Sequence, residues 1–117
     1  MEHEKFVREG PVKGFAEPRL LCLISKSPSY GYQLADRIGE LPFPGPGPDA
    51  AAVYRKLREM EKHCLVVSHW EHGEAGPSKR VYKITVEGEK RLEAWKDALA
   101  ERVAMLNRFI SMCEKGA

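Results

Sequence analysis

The sequence has no apolar run approaching the roughly 20 residues that a membrane-spanning helix needs, which excludes a helical membrane protein. Residues 1–10 alternate acids and bases and lack the apolar stretch and small residues of a secretory signal, so a cytoplasmic location is expected. Cysteine is scarce: Cys22, Cys64 and Cys113 are odd in number and far apart, which suits reduced thiols rather than a disulfide framework. The GPGP run at 45–48 lacks the lysine and the helix of a phosphate loop. His63, Cys64, His69 and His72 lie close in sequence, but there is no paired-cysteine spacing, and His69 and His72 fall on opposite faces of the expected strand. No metal or cofactor is therefore expected. Nothing brings Ser, His and Asp together for catalysis, so an enzyme is not expected either. At 117 residues the chain suits one compact domain.

Charge of one sign is also lacking. Nineteen Lys plus Arg face 17 Asp plus Glu, a formal net charge of +2, and a clear basic excess is the usual footprint of a nucleic-acid binder. The distribution is more telling than the sum. Residues 1–48 carry six cations and six anions, and residues 86–117 again six and six. The whole surplus lies in 49–85, where Arg55, Lys56, Arg58, Lys62, Lys79, Arg80 and Lys83 outnumber Asp49, Glu59, Glu61, Glu71 and Glu74. An anionic partner is expected there.

Periodicity orders the elements. Pro18 near a helix start and Leu20, Leu21, Leu23 and Ile24 indicate a short, mostly buried helix over 17–25. Residues 27–29 break it, and a second helix over 30–40 places Tyr30, Leu34, Ile38 and Leu41 on one stripe. The LPFPGPGP segment at 41–48 holds four of the eight prolines and must be a loop. Asp49 is a good N-cap for a third helix that starts with three alanines. Ala50, Val53, Leu57, Met60 and Cys64 share one face of it, and Ala51, Arg55, Arg58 and Lys62 the opposite face. That basic face is either solvated or a nucleic-acid contact.

Next come a strand over 65–71, a flexible Gly/Pro-containing tip at 73–78 and a strand over 79–85, in which Arg80, Tyr82 and Ile84 share one pleat face and Lys79, Val81 and Lys83 the other. Thr85 can cap the last helix, with Glu87 and Glu89 in its first turn. That helix runs over 86–114. Leu92, Leu99, Leu106 and Cys113 recur every seven residues, with Trp95, Val103, Phe109 and Ile110 on the same stripe. Either a second copy covers this stripe, which is the economical reading, or the helix folds back on its own domain. The expected fold class is mainly α with a small β-hairpin (α+β): an N-terminal extension or short helix over 1–13, a winged helix-turn-helix domain over 14–85 and a dimerisation helix over 86–117. In such a domain the third helix enters the major groove and the wing follows the backbone or minor groove.

The residues EPRLLCLI (17–24), SYGYQLADRI (29–38), VYRKLREMEKHCLV (53–66) and HWEHGEAGPSKRVYKITVEGEKRLEAW (69–95) resemble the PadR-type transcriptional regulators of prokaryotes, from about residue 14 to the C-terminus. The resemblance implies a winged-helix repressor, dimeric through its C-terminal helix, that binds a pseudo-palindromic DNA operator and is released by a small aromatic or hydrophobic effector near the dimer interface. The single C-terminal helix resembles the short-tailed branch. Two departures stand out. His63-Cys64 occupies the place where the family usually ends the third helix with glycine, and residues 49–52 (DAAA) replace a start that often carries serine or threonine.

The candidate DNA-binding residues are Tyr32, Gln33, Ala51, Tyr54, Arg55, Arg58, Lys62, Ser78, Lys79 and Arg80. Arg55 and Arg58 are read as phosphate contacts before base contacts. Tyr54 either packs on the second helix or meets DNA, and Tyr32 is read first as core packing. Lys79 and Arg80 alternate along their strand, so one of the two is expected to meet DNA. Trp70 is read as hairpin packing. Trp95 and Leu99 are the candidate effector contacts, Trp95 offering a stacking face to a planar ligand; the other reading of Trp95 is interface core without a ligand. Leu92, Trp95, Leu99, Val103, Leu106, Phe109, Ile110 and Cys113 are the candidate dimer contacts. The leading function is a dimeric DNA-binding regulator, a repressor. The alternative is a winged-helix adaptor for protein partners without operator binding.

Overall fold

The computed structural model describes residues 2–9, 15–73 and 76–115. In chain order these form α1 (Glu2–Glu9), α2 (Ala16–Lys26), β1 (Ser29–Tyr30), α3 (Gly31–Arg37) with a 3-10 turn at Ile38–Glu40, α4 (Ala50–Lys62), β2 (Val66–Glu71), β3 (Lys79–Ile84) and α5 (Val86–Glu114). The core is built where α2, α3 and α4 cross: Leu20, Leu21, Ile24, Leu34, Ile38, Val53, Leu57 and Met60 are fully buried there, closed from below by Leu65 and Val66. These are the apolar stripes at helical spacing. The layout is a winged helix-turn-helix with a long C-terminal helix, mainly α with one small antiparallel sheet.

The sheet has three strands in the order β1-β3-β2. The β2–β3 hairpin runs from Val66 opposite Ile84 to Glu71 opposite Lys79. The added strand, β1, is the Ser-Tyr pair left extended by the break after α2, and it pairs Ser29 with Tyr82 and Tyr30 with Val81. Two residues carry no periodicity, so only the distant partner defines this strand.

Both ends of α4 follow from local chemistry. At the start, Asp49 Oδ1 accepts the Ala52 N–H at 2.8 Å. At the end, the Leu65 N–H donates to the Met60 carbonyl at 2.9 Å and the Cys64 N–H to the Glu61 carbonyl at 3.0 Å, the two bonds of a Schellman cap. That cap needs a left-handed residue, and Cys64 supplies it with φ 62°. The chain thus accepts at Cys64 the strain that glycine would avoid. Because Cys64 lies past the helix end in this conformation, it leaves the Val53–Met60 stripe and is exposed, as is Ala50 at the other end. The proline-rich loop is tied to α2 by Arg19, whose guanidinium lies 4.6 Å from the Phe43 ring centroid and donates to the Pro44 carbonyl at 3.4 Å.

Helix α5 has 29 residues, about 43 Å, and stretches the chain to 66 × 29 × 21 Å. Its N-cap is Thr85, whose Oγ accepts the Gly88 N–H at 2.9 Å and donates to the Cys64 carbonyl at 2.6 Å. Gly88 sits directly on the Leu65 carbonyl, where any Cβ would collide. Seven residues on, α5 meets α2 through a buried cluster: Glu17 accepts the Trp95 indole N–H at 2.7 Å and the Arg91 guanidinium at 3.1 Å. Trp95 is only 3% exposed and its ring meets Phe15 edge-on.

Trp95 therefore belongs to the chain's own core, which corrects its expected place at a partner interface with a free stacking face. The heptad stripe splits. Leu92 and Leu99 are half-buried, Leu92 against the core. From residue 100 to 115 every residue is exposed, including Val103, Leu106, Phe109, Ile110 and Cys113. Helix α1 packs on the covered half of α5: Val7 is buried, Phe6 lies under the Arg91 guanidinium at 4.1 Å, and His3 joins Arg91 at 2.7 Å to Glu87 at 2.8 Å. That hydrogen bond, with Lys90 beside it, holds the Glu87 carboxyl below its ordinary pKa. The N-terminal extension is thus helical over Glu2–Glu9; residues 10–13 lie outside the described residues. No described helix is long and apolar enough to cross a membrane.

The cap at Cys64 is testable. A left-handed L-residue costs about 1–2 kcal/mol, and the extra chain entropy of glycine returns about 0.5–1 kcal/mol. Cys64→Gly is expected to raise stability by about 0.5–1 kcal/mol, read as a higher urea midpoint at unchanged slope. An unchanged or lower midpoint contradicts the strain.

Candidate nucleic-acid interface

The capped start and Schellman end of α4 fix which side faces out. With Val53, Leu57 and Met60 buried, Ala51, Tyr54, Arg55, Arg58 and Lys62 are left on the outer side. Among the described residues, Arg55, Arg58 and Lys62 have no acidic partner, whereas neighbouring Lys56 pairs with Glu59 at 3.3 Å. Three unneutralised cations thus share one outward helix face.

The hairpin is held against this helix by a small polar network. Glu61 near the end of α4 accepts the Ser68 hydroxyl at 2.7 Å and the Arg80 guanidinium at 3.3 Å, and Arg80 Nε also donates to Ser68 Oγ at 2.8 Å. Arg80 lies 5.3 Å from the Trp70 ring centroid. Its charge is therefore largely matched within the chain. Trp70 thus packs across the hairpin on Arg80, its cross-strand partner, as its reading had it, and 55% of the residue is nevertheless exposed. At the tip, Ser78 Oγ and His72 Nδ1 meet at 2.6 Å.

Strand β1 brings a third group of side chains to the same place. Tyr30 and Tyr32 stack at 5.6 Å with rings 9° apart, and Lys79 Nζ lies 5.5 and 5.4 Å from their centroids. Tyr32 is 46% exposed, so core packing is overturned: the turn into α3 directs it outward, and Leu34 and Ile38 take the core positions. The Tyr30 hydroxyl donates to Glu71 at 2.5 Å, and this bond raises its pKa above the ordinary phenol value. Gln33 accepts the Tyr30 N–H at 3.0 Å through its side-chain oxygen, capping α3. Tyr54 packs on the start of α3, its ring resting on Gly31, where a Cβ would come within 2.9 Å of Cε1, and 37% of the residue is exposed.

Between α3, α4 and the hairpin these groups enclose an open depression of about 400 Å³, walled by Tyr32, Tyr54, Arg58, Trp70, Lys79 and Arg80 and floored by Tyr82. Burial, the largest effect there, raises the Tyr82 pKa. Lys79 and Arg80 both line it although they alternate along β3. Tyr30, Gly31, Trp70 and Tyr82 were not among the DNA-binding candidates; the hairpin brings in Trp70, while Tyr30 and Gly31 are joined to Tyr82 by the β1–β3 pairing, which no local pattern carries. No group of three or more potential metal ligands occurs among the described residues.

A family model described as transcriptional regulator PadR-like family matches residues 20–94, more than half of the chain, from α2 into α5. No curated protein matches the chain. Among solved structures, a PadR-like transcriptional regulator from Bacillus cereus is similar with a TM-score of 0.70 at 26% identity, over 85% of this chain and 94% of that one. A PadR family transcription regulator from Clostridium difficile is similar with a TM-score of 0.72 at 23% identity, over 83% and 99%. The structure of Bacillus subtilis PadR in complex with operator DNA is similar in fold over 68% of this chain and 45% of that one, with a TM-score of 0.58 at 17% identity.

The Glu61–Ser68–Arg80 network is half-exposed, so its expected worth is about 0.5–1 kcal/mol. Glu61→Ala should therefore speed amide exchange in Val66–Glu71 and Lys79–Ile84 several-fold while leaving the α2 core unchanged. Uniform acceleration, or none, contradicts a local tie between α4 and the hairpin.

Proposed function

Because the chain belongs to the PadR-like family of transcriptional regulators, we propose that it binds double-stranded DNA as a homodimer, each copy setting α4 in the major groove with the hairpin beside it. The observation that carries this reading is the outward face of Arg55, Arg58 and Lys62, which have no acidic partner among the described residues and of which Arg58 lines the same depression as Lys79 of the hairpin. A solved neighbour of the same fold was crystallised with operator DNA. Duplex DNA supplies the phosphates that such a face lacks, and the guanidinium fork fits phosphate oxygens or a guanine edge. Tyr54 and Ala51 flank the arginines, and Tyr32, Gln33 and Ser78 reach the border of the duplex as backbone contacts.

The second half of α5 supports the dimer. Val103, Leu106, Phe109 and Ile110 are each more than half exposed in the single chain, and an apolar stripe of that length is stable when a second copy covers it. Residues 14–85 then read DNA and residues 86–117 join the copies, in the cytoplasm where the DNA lies. The regulator acts as a repressor on a pseudo-palindromic operator. Its release by a small aromatic or hydrophobic effector is assigned to the junction near Leu99, where the Phe43–Phe15–Trp95 cluster meets the stripe; a ligand there touches both the domain and the partner helix.

Two measurements test this. Titration of the chain with its own upstream duplex at several salt concentrations should show preferred binding over random duplex. Arg55→Ala with Arg58→Ala should weaken it at least tenfold and lower the salt slope by about 0.9 for each phosphate no longer neutralised. No preference, together with an unchanged double variant, sinks the DNA reading, and a stoichiometric protein partner captured without DNA would favour an adaptor instead. Phe109→Glu with Ile110→Glu should convert the dimer to a monomer in sedimentation and weaken duplex binding in parallel. A variant that stays dimeric contradicts the role of α5.

A further inference from the structure

The depression beside α4 holds more aromatic surface than a duplex can use. Base pairs in a duplex keep their faces stacked on one another, so a bound duplex offers this wall edges, sugars and phosphates but no ring face. The wall nevertheless presents the parallel Tyr30–Tyr32 pair on one side and Trp70, more than half exposed, on the other. The cations are placed with the rings: Lys79 lies over both tyrosines, Arg80 over Trp70, and Arg58 on the α4 side. Glu61 matches Arg80, while Lys79 and Arg58 have no acidic partner among the described residues. Two uncompensated charges suit a phosphate, which carries close to two negative charges at neutral pH. The volume of about 400 Å³ lies within the range of small-molecule sites.

We propose that this depression binds an unpaired nucleotide, its base stacked on the aromatic wall and its phosphate held by Lys79 and Arg58. Base stacking on aromatic side chains beside a cationic track is how unpaired nucleic acid is held generally. The same chemistry is carried by a free nucleoside monophosphate and by an unpaired nucleotide at the end of a strand. The inference rests on the DNA-binding reading for one consequence only: a nucleotide in the depression overlaps the duplex footprint, so it competes with operator binding.

Calorimetric titration of the full chain with adenosine monophosphate tests the site directly. Saturable binding at one nucleotide per chain is expected, with inorganic phosphate at least tenfold weaker. Trp70→Ala and Lys79→Gln should each weaken the nucleotide at least fivefold with unchanged circular dichroism, Trp70 being a surface residue. A parallel titration with a single-stranded oligoadenylate assigns the source: tighter binding per site than the monophosphate, with the same dependence on Trp70, identifies a strand, and weaker binding identifies the free nucleotide. Phosphate binding as tightly as the monophosphate, no binding of either adenylate, or an unchanged Trp70→Ala variant overturns the proposal. Duplex affinity measured on the same samples keeps the two readings apart. Nucleotide binding without duplex binding retains the site and fails the operator reading, and duplex binding without nucleotide binding does the reverse.

Discussion

The structure depends on one buried carboxylate. Glu17, on the first turn of α2, accepts hydrogen bonds from Arg91 and Trp95 of α5, and all three side chains are nearly excluded from water. A carboxylate in such a place is tolerable only when its charge and lone pairs are matched, and removing one partner of such a pair typically costs about 3–5 kcal/mol. The contact fixes the azimuth of α5 as well as its position, because the guanidinium and the indole N–H must both reach the same carboxyl group. Helix α1 then layers over Arg91 through Phe6 and His3. Once the first half of α5 is committed to this docking, its second half leaves the domain with an apolar face uncovered.

A second, lighter set of contacts joins the parts that face outward. The corner after α4 and the corner before α5 are bonded to each other through Thr85, Cys64 and Leu65, and Gly88 allows the closest approach between them. On the other side, Glu61 links α4 to the hairpin through Ser68 and Arg80. The basic face of α4, the hairpin and the long helix are thereby held in one frame. Their mutual geometry, more than the chain's total charge of +2, is what sets the unpaired cations of α4 on one outward side.

What was legible in the sequence was local. The caps at Asp49 and Thr85, the stripes of α2 and α4 and the hairpin follow from residues a few positions apart and are observed with small shifts in their ends, whereas of the stripe expected for the second helix only Leu34 and Ile38 are buried, Tyr30 lying in β1 and Leu41 past the 3-10 turn. What was not legible depends on distant partners. Strand β1 exists because Tyr82 and Val81 lie opposite it. Trp95 fits the heptad stripe well, yet a carboxylate 78 residues earlier draws it into the core. The charge surplus singled out residues 49–85, but counting could not tell that Arg80 is matched by Glu61 while Arg55, Arg58 and Lys62 carry no such partner among the described residues. The absent helix-ending glycine is explained by a left-handed Cys64 that keeps both bonds of the cap.

In the arrangement we propose, two copies joined along the exposed half of α5 present two α4 faces to one side of a duplex. In that arrangement the faces lie about 34 Å apart, one turn of DNA. Sedimentation of the chain with its upstream duplex, repeated after inserting about five and about ten base pairs between the half-sites, measures stoichiometry and helical phase together. Two chains per duplex are expected, with much weaker affinity on the half-turn insertion because the second face then meets the wrong side of the helix, and partial recovery on the full-turn insertion. One chain per duplex, with affinity indifferent to the insertions, would contradict this arrangement.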